Sequence, residues 1–376
     1  MKSMKTLAVV ASVTIFFAAC QKNIKESETQ IAETLSVEKN GIAGYVYTLS
    51  NQVAGNNVLM YSRTASGMLS YVMSYSTGGT GTGTGLGNQG AVALSGNEQI
   101  LLAVNPGSNT VSSFTISGST LQLKSTVSSG GVRPVSVTIY NDLVYVLNQG
   151  GTGNISGFKL QDNGMLQPLA GSTRPLSSTT ADAAQVSFVS GGYAVAITEK
   201  MTNKITSYTI GASGLPGVMH TLTSVNTTPF GFAVGKSGII YVTEAAGGAP
   251  GASTVSSYYV STDGTISLVE GPVSAGLTAA CWAVVTNNGK YVYATNTGSN
   301  NISSFNAKHD LAVLEAVAGS GNAPIDAALS NNSKFLFVLN SGNETINAFA
   351  VNNNGSLDFL QTVSGLPDGA TGLAAK

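Results

Sequence analysis

The sequence predicts an all-β chain: a seven-bladed β-propeller of four-stranded antiparallel blades, with the C-terminal strand pairing into blade 1 to close the ring. Three observations predict it. A strand pair recurs about every 48 residues, β-branched residues alternate between Asn-Gly and Asp-Gly turns, and the composition is rich in glycine and poor in charge.

That composition excludes several classes. The 376 residues carry 17 basic and 18 acidic side chains, so 9% are charged against roughly 25% in an ordinary domain. A net charge of −1 leaves no basic face to displace the counterions of a nucleic acid. No apolar run reaches the roughly 20 residues of a spanning helix. With 43% hydrophobic residues, the chain also lacks the signature of disorder.

The elements follow in order. Lys2 and Lys5 precede an apolar stretch over residues 7–19, built like a signal-peptide core and too short to span. Phe17-Ala18-Ala19-Cys20 resembles a bacterial lipoprotein signal. Residues 1–19 are therefore expected to be a signal peptide, Cys20 the lipidated N-terminus, and 20–43 a charged, flexible tether. The expected protein is exported and held by the lipid at Cys20 to an envelope membrane, the outer one, on its periplasmic or surface side. The other cysteine is Cys281, so with Cys20 acylated no intramolecular disulfide is expected.

From residue 44 to 376 the repeat takes over. Strands ending in Asn or Glu are each followed by a strand of the form V/I-x-x-aromatic. They are LLAVN (101–105) with TVSSF, VYVLN (144–148) with NISGF, and VAITE (195–199) with KITSY. IYVTE (240–244) with TVSSY, VYATN (292–296) with NISSF, and LFVLN (336–340) with TINAF continue the series. YVYTLSN (45–51) with NVLMY is a degenerate first copy. A leading strand precedes each pair, as in PVSVTI (134–139), PFGFAV (229–234) and PIDAAL (324–329). A fourth follows a tight turn, as in DNGMLQPLA (162–170), TDGTISLVE (262–270) and NNGSLDFLQ (353–361). Four strands in 40–50 residues make a propeller blade. The first copy lacks its leading strand, and the last residues, ATGLAAK (370–376), match it. Closure of this kind removes a sheet edge that would invite aggregation.

With strands such as YVTE (241–244) and YATN (293–296), the chain resembles the lactonase-type, YVTN-repeat (6-phosphogluconolactonase-like) family of seven-bladed propellers over essentially all of 44–376. SSGGVRPVSV (128–137), TPFGF (228–232), TAACWAV (278–284) and SGLPDGATGLAA (364–375) resemble its exported members. The resemblance implies a lactonase-like hydrolase or cycloisomerase acting on a sugar lactone or cyclic carboxylic acid. Active members open an inner strand with a His-Pro-His type stretch. The matching positions here are Arg133-Pro134, Thr228-Pro229, Ala279-Ala280 and Ala323-Pro324, without histidine. The first expectation is therefore a binding or scaffold module acting through one loop-rich face, with the lactonase-like enzyme as the alternative.

Residue chemistry narrows the site. The two histidines, His220 and His309, fall on outer strands, and no G-x-S-x-G elbow occurs, which excludes a Ser-His-Asp hydrolase. Gly85-Leu86-Gly87-Asn88-Gln89-Gly90 matches G-x-G-x-x-G but opens a strand, whereas phosphate binding needs a helix N-terminus. Gly235-Lys236-Ser237 sits in a strand-to-strand turn and is no P-loop. Zinc spacing and calcium loops are absent, so no metal or cofactor is expected.

Residues that precede inner strands and residues that end second strands share one face of the disk. Arg133, Glu199 and Glu244 are such residues, and the loops 76–88, 171–184 and 245–253 lie at that face. The inner strands carry Ala91, Ser136, Val186, Gly231, Trp282, Asp326 and Gly372 at matching positions. Small residues suit a crowded axis, so Trp282 and Asp326 stand out. Arg133, Phe230 and Trp282 are the expected ligand contacts, the guanidinium gripping a carboxylate or oxyanion and the rings stacking. Under the lactonase alternative Glu199, Glu244 or Asp326 would be the general base. A small molecule or protein is the expected partner at this face, and a monomer the expected state.

Overall fold

A computed structural model describes residues 41–307 and 311–376, with the side chains at 315–317 left aside. The expected signal peptide, Cys20, the tether up to residue 40, and His309 lie outside the described residues. Among the described residues the chain forms seven antiparallel sheets, one per blade. From axis to rim, blade 1 runs Thr371–Ala375, Ile42–Leu49, Asn57–Thr64, Leu69–Ser76. Blade 2 is Val92–Leu94, Ile100–Asn105, Thr110–Ser117, Thr120–Ser128. Blade 4 is Ala183–Phe188, Ala194–Glu199, Lys204–Ile210, Pro216–Thr223, and blade 5 is Pro229–Val234, Ile239–Glu244, Thr254–Val260, Ile266–Ser274. Blade 6 is Ala280–Val285, Tyr291–Asn296, Asn301–Asn306, Ala312–Gly319, and blade 7 is Pro324–Leu329, Phe335–Asn340, Thr345–Val351, Leu357–Ser364.

Blade 3 departs from the pattern. After Val132–Tyr140, Leu143–Gly150 and Asn154–Leu160, its outer strand is broken into Leu166–Pro168 and Arg174–Pro175. Pro168 has no N–H to continue a ladder. The Ser172 hydroxyl fills the gap, accepting from Gly157 N at 2.9 Å and donating to its carbonyl at 3.3 Å.

The ring closes as expected. Val46, Tyr47 and Thr48 pair with Ala375, Ala374 and Leu373, and the backbones of Tyr45 and Lys376 exchange hydrogen bonds of 2.9 and 3.1 Å. Second strands are sandwiched on both faces by neighbouring blades, so they read as unbroken apolar runs rather than alternating ones. Ile100–Asn105 and Phe335–Asn340 are buried at every position. The aromatic of each V/I-x-x-aromatic motif fills the space between blades. Phe114, Phe158, Tyr208, Tyr258, Phe305 and Phe349 are all buried, each contributing about 1.5–3 kcal/mol of burial.

The polar residue ending a second strand ties it to the third strand or to the loop beside it. Asn105 donates to the hydroxyls of Thr110 and Ser112 at 3.1 and 2.8 Å. Asn148 donates to Ser129 O at 3.0 Å, and Asn296 to Asn301 and Ser303 at 3.0 and 3.1 Å.

Candidate functional site

Glu199 and Glu244 occupy that same tying position. The Glu199 carboxylate accepts from Ser177 N at 2.9 Å, Thr206 Oγ1 at 2.9 Å, Thr202 Oγ1 at 2.8 Å and the Ser177 hydroxyl. Glu244 accepts from the hydroxyls of Ser224, Thr254, Ser256 and Tyr258 at 2.6 to 2.8 Å. Both are fully buried. Two carboxylate oxygens accept several donors where one asparagine carbonyl could not, so a glutamate anchors the longer loops of blades 4 and 5. The hydrogen-bond partners of both lie in blades 4 and 5 and in the loops that lead into them.

Asp326 lies on the inner strand of blade 7 and is 3% exposed. Burial pushes its carboxyl well above the usual carboxylate range, opposed only by the backbone N–H groups of Ala327 and Leu373.

A different set converges at the channel mouth. Arg133, second residue of the inner strand of blade 3, and Asp182, just before that of blade 4, both have left-handed backbone, at φ 54° and 46°. Such positions cost energy for a side chain and persist where the surroundings fix them. The Asn109 side chain does so for Arg133, accepting from its backbone N at 2.7 Å. The Arg133 Nε is buried with no partner among the described residues.

Lys200, just beyond Glu199, points inward. Its ammonium lies 3.3 Å from Asp182 Oδ2, donates to Gly87 O at 2.7 Å, and sits 5.0 Å from the centre of the Phe230 ring. Burial lowers its pKa, Asp182 partly restores it, and the Arg133 charge lowers it further. Phe230 packs on Trp282 with ring centres 5.0 Å apart. Cys281 lies beside them, its thiol pushed by burial up to about 11, and so remains protonated rather than nucleophilic.

Residues 85–90 form a strap across the mouth. The Trp282 indole N–H donates to Asn88 O, and the Asn88 amide to Val135 O. Gln89 reaches from blade 2 to blade 6, its Nε2 donating to Ala283 O at 2.8 Å and its Oε1 accepting from Ala283 N at 3.2 Å. Gly231 makes room for it, because a Cβ there would collide with Gln89 Oε1 and stand 2.7 Å from Cys281 O. On the far side of the strap is a cavity of about 380 Å³, walled by Trp282, Ile325, Ser341, Ala370, Thr371 and the strap itself.

The sequence singles out Arg133, Phe230 and Trp282 but not Lys200, Asp182 or the strap. One cause is a register slip. The position matching Ser136 in blade 4 is Gln185, which pairs with Thr198 as Ser136 pairs with Leu147, and not Val186. Shifted by one, Asp182 becomes the counterpart of Arg133. The signal that could have found the pair is the scarcity of charge itself.

A family model described as "Lactonase, 7-bladed beta-propeller" matches residues 37–175 and 252–371. No curated protein matches significantly. Among solved structures, a protein from Lactobacillus plantarum superposes with a TM-score of 0.71 at 16% identity, over 89% of this chain and 99% of that one. A candidate 6-phosphogluconolactonase from Bacteroides fragilis gives 0.70 at 16%, over 89% and 98%. The periplasmic gluconolactonase of Pseudomonas aeruginosa gives 0.69 at 16%, over 88% and 99%.

Proposed function

We propose that this chain, which belongs to the lactonase family of seven-bladed β-propellers, hydrolyses a small cyclic ester such as a sugar lactone at the channel mouth. The observation that carries the reading is the convergence of Lys200 and Asp182 on the Phe230–Trp282 wall, with the Arg133 charge near enough to act on Lys200. Asp182, whose side chain is 47% exposed, is the carboxylate placed to take a proton from an attacking water. Lys200 and Arg133 supply positive charge for the oxyanion that develops on the ester carbonyl, a role that gains strength away from water. As the ring opens, the leaving alkoxide takes a proton from Lys200 or Asp182, and lactone plus water becomes the open hydroxy acid. The Lys200 ammonium, lowered in pKa by burial, is the better donor for that step. The lipoprotein-like leader supports an envelope location for this chemistry, with the chain tethered through Cys20.

Proton release from a panel of neutral and anionic sugar lactones tests the reading. Wild type should release acid, and Lys200→Met and Asp182→Asn should each lose about 10²–10⁴-fold. Saturable binding of a lactone with no acid released would overturn it in favour of a binding module. Equal rates in all three proteins would move the chemistry away from these residues.

A further inference from the structure

Neighbouring blades are joined at the axis by a recurring clasp. In blade 3 the Ser136 hydroxyl accepts from Val186 N at 3.2 Å and donates to Val186 O at 3.4 Å, in blade 4. In blade 4 Gln185 accepts from Phe232 N at 2.6 Å and donates to Phe232 O at 3.0 Å, in blade 5. Blade 5 offers only Gly231 at this position, and the strap substitutes Gln89, which makes the same two bonds to Ala283 of blade 6. In each case one side chain serves as both acceptor and donor for a single residue of the next blade.

Asp326 holds the matching position in blade 7, pairing with Leu339 as Ser136 pairs with Leu147. Its target by the same rule is Leu373, on the strand that closes the ring. The inner strand of blade 7 packs against that closing strand, the Leu373 backbone N–H is close enough to pull on the carboxyl's proton affinity, and Oδ1 accepts from Ala327 N at 2.8 Å. The other oxygen, Oδ2, is buried without a partner among the described residues. A carboxylate can only accept, but a carboxylic acid also donates. We propose that Asp326 is a neutral acid in the folded protein, its Oδ2–H donating to Leu373 O, so that the closing seam is a proton-dependent clasp.

Among the described residues, the elements packed against Asp326 bring no charge that would favour ionisation. The inner strand of blade 6 brings the protonated thiol of Cys281. The second strand of blade 6 brings Tyr291 and Tyr293, whose hydroxyls donate to the carbonyls of Asn353 and Gly355 at 2.6 and 3.1 Å. The second strand of blade 7, FLFVLN, has no titratable group. The closing strand leads only to Lys376, whose ammonium lies 5.7 Å over the Tyr45 ring. Ionisation would release one proton to solvent, break the bond to Leu373 O and leave a charge in an apolar seam. The walls of the mouth cavity straddle this seam, Ile325 and Ser341 on one side and Ala370 and Thr371 on the other, so its state bears on the cavity.

The sign is set by the raised carboxyl. The unfolded chain loses this proton near the ordinary value of about 3.9 while the folded chain keeps it. Stability therefore falls as pH rises from there through the folded-state value, and levels beyond it. Asp326→Asn carries a permanent donor and acceptor, as Gln185 does. It should flatten that fall and melt several degrees higher than wild type at mildly alkaline pH. A lower melting point there, or an unchanged pH profile, would overturn the proposal. Infrared spectroscopy of wild type at neutral pH gives a test that needs no variant. A carbonyl band of a protonated carboxylic acid, shifted by aspartate-specific ¹³C labelling, is expected, and its absence would sink the idea.

Discussion

The two sides of the channel mouth differ in kind. On one side of the strap, blades 3 and 4 contribute Arg133, Asp182 and Lys200, and Lys200 is depressed in pKa by burial. On the other, blades 6, 7 and 1 wall a cavity with Trp282, Ile325, Ser341, Ala370 and Thr371, none of them charged. The difference teaches that this fold can separate chemistry from shape. Charge stands where a left-handed residue turns each blade toward the axis, and hydrophobic and hydroxyl surface stands where the closing strand comes in.

Trp282 belongs to both sides, packing on Phe230 and bonding the strap. Trp282→Ala should therefore break the comparison outright. Denaturant unfolding is expected to show a loss of about 3–5 kcal/mol, with the proposed acid release lost as well. Normal activity in a folded variant would mean that the wall does not hold the ligand.

Glu244→Gln should separate anchor from site. Its donors would lose part of a buried acceptor, costing about 1–3 kcal/mol in a thermal or urea melt. Proton release per folded molecule should be unchanged, and a specific loss of rate would return Glu244 to the chemistry. The smallest effect is expected at Ser341→Ala, on the cavity wall, with stability within about 0.5 kcal/mol of wild type. A larger change would mark that hydroxyl as part of the seam.

The fold was legible because its repeat is written in residues with one physical task each. The aromatic of V/I-x-x-aromatic fills the gap between blades, and the final Asn or Glu ties strand to loop. Glu199 and Glu244 break the repeat in residue type while keeping its position, and each makes the same tie with more donors than an asparagine could serve. Lys200 and Asp182 escaped notice because the inner strands bulge. Residues 183 and 185 face consecutive partners on the second strand, and a bulge changes which side chain faces the axis. No sequence period reports that Gln89 from blade 2 ends on blade 6, because the contact joins residues 194 positions apart through a loop with no counterpart in the other blades.

The ring closes with its final strand, Thr371–Ala375, laid against Ile42–Leu49. Arg63 holds the last carbonyl, of Lys376, at 3.2 Å across 313 positions of chain. Blade 1 thus waits for a strand that lies more than 300 positions later in the chain. Any copy lacking residues 371–375 leaves blade 1 without its axial strand and blade 7 without a neighbour. The first blade and the last strand therefore fold as one event, and a copy without that strand carries an open edge by which it differs from an intact one.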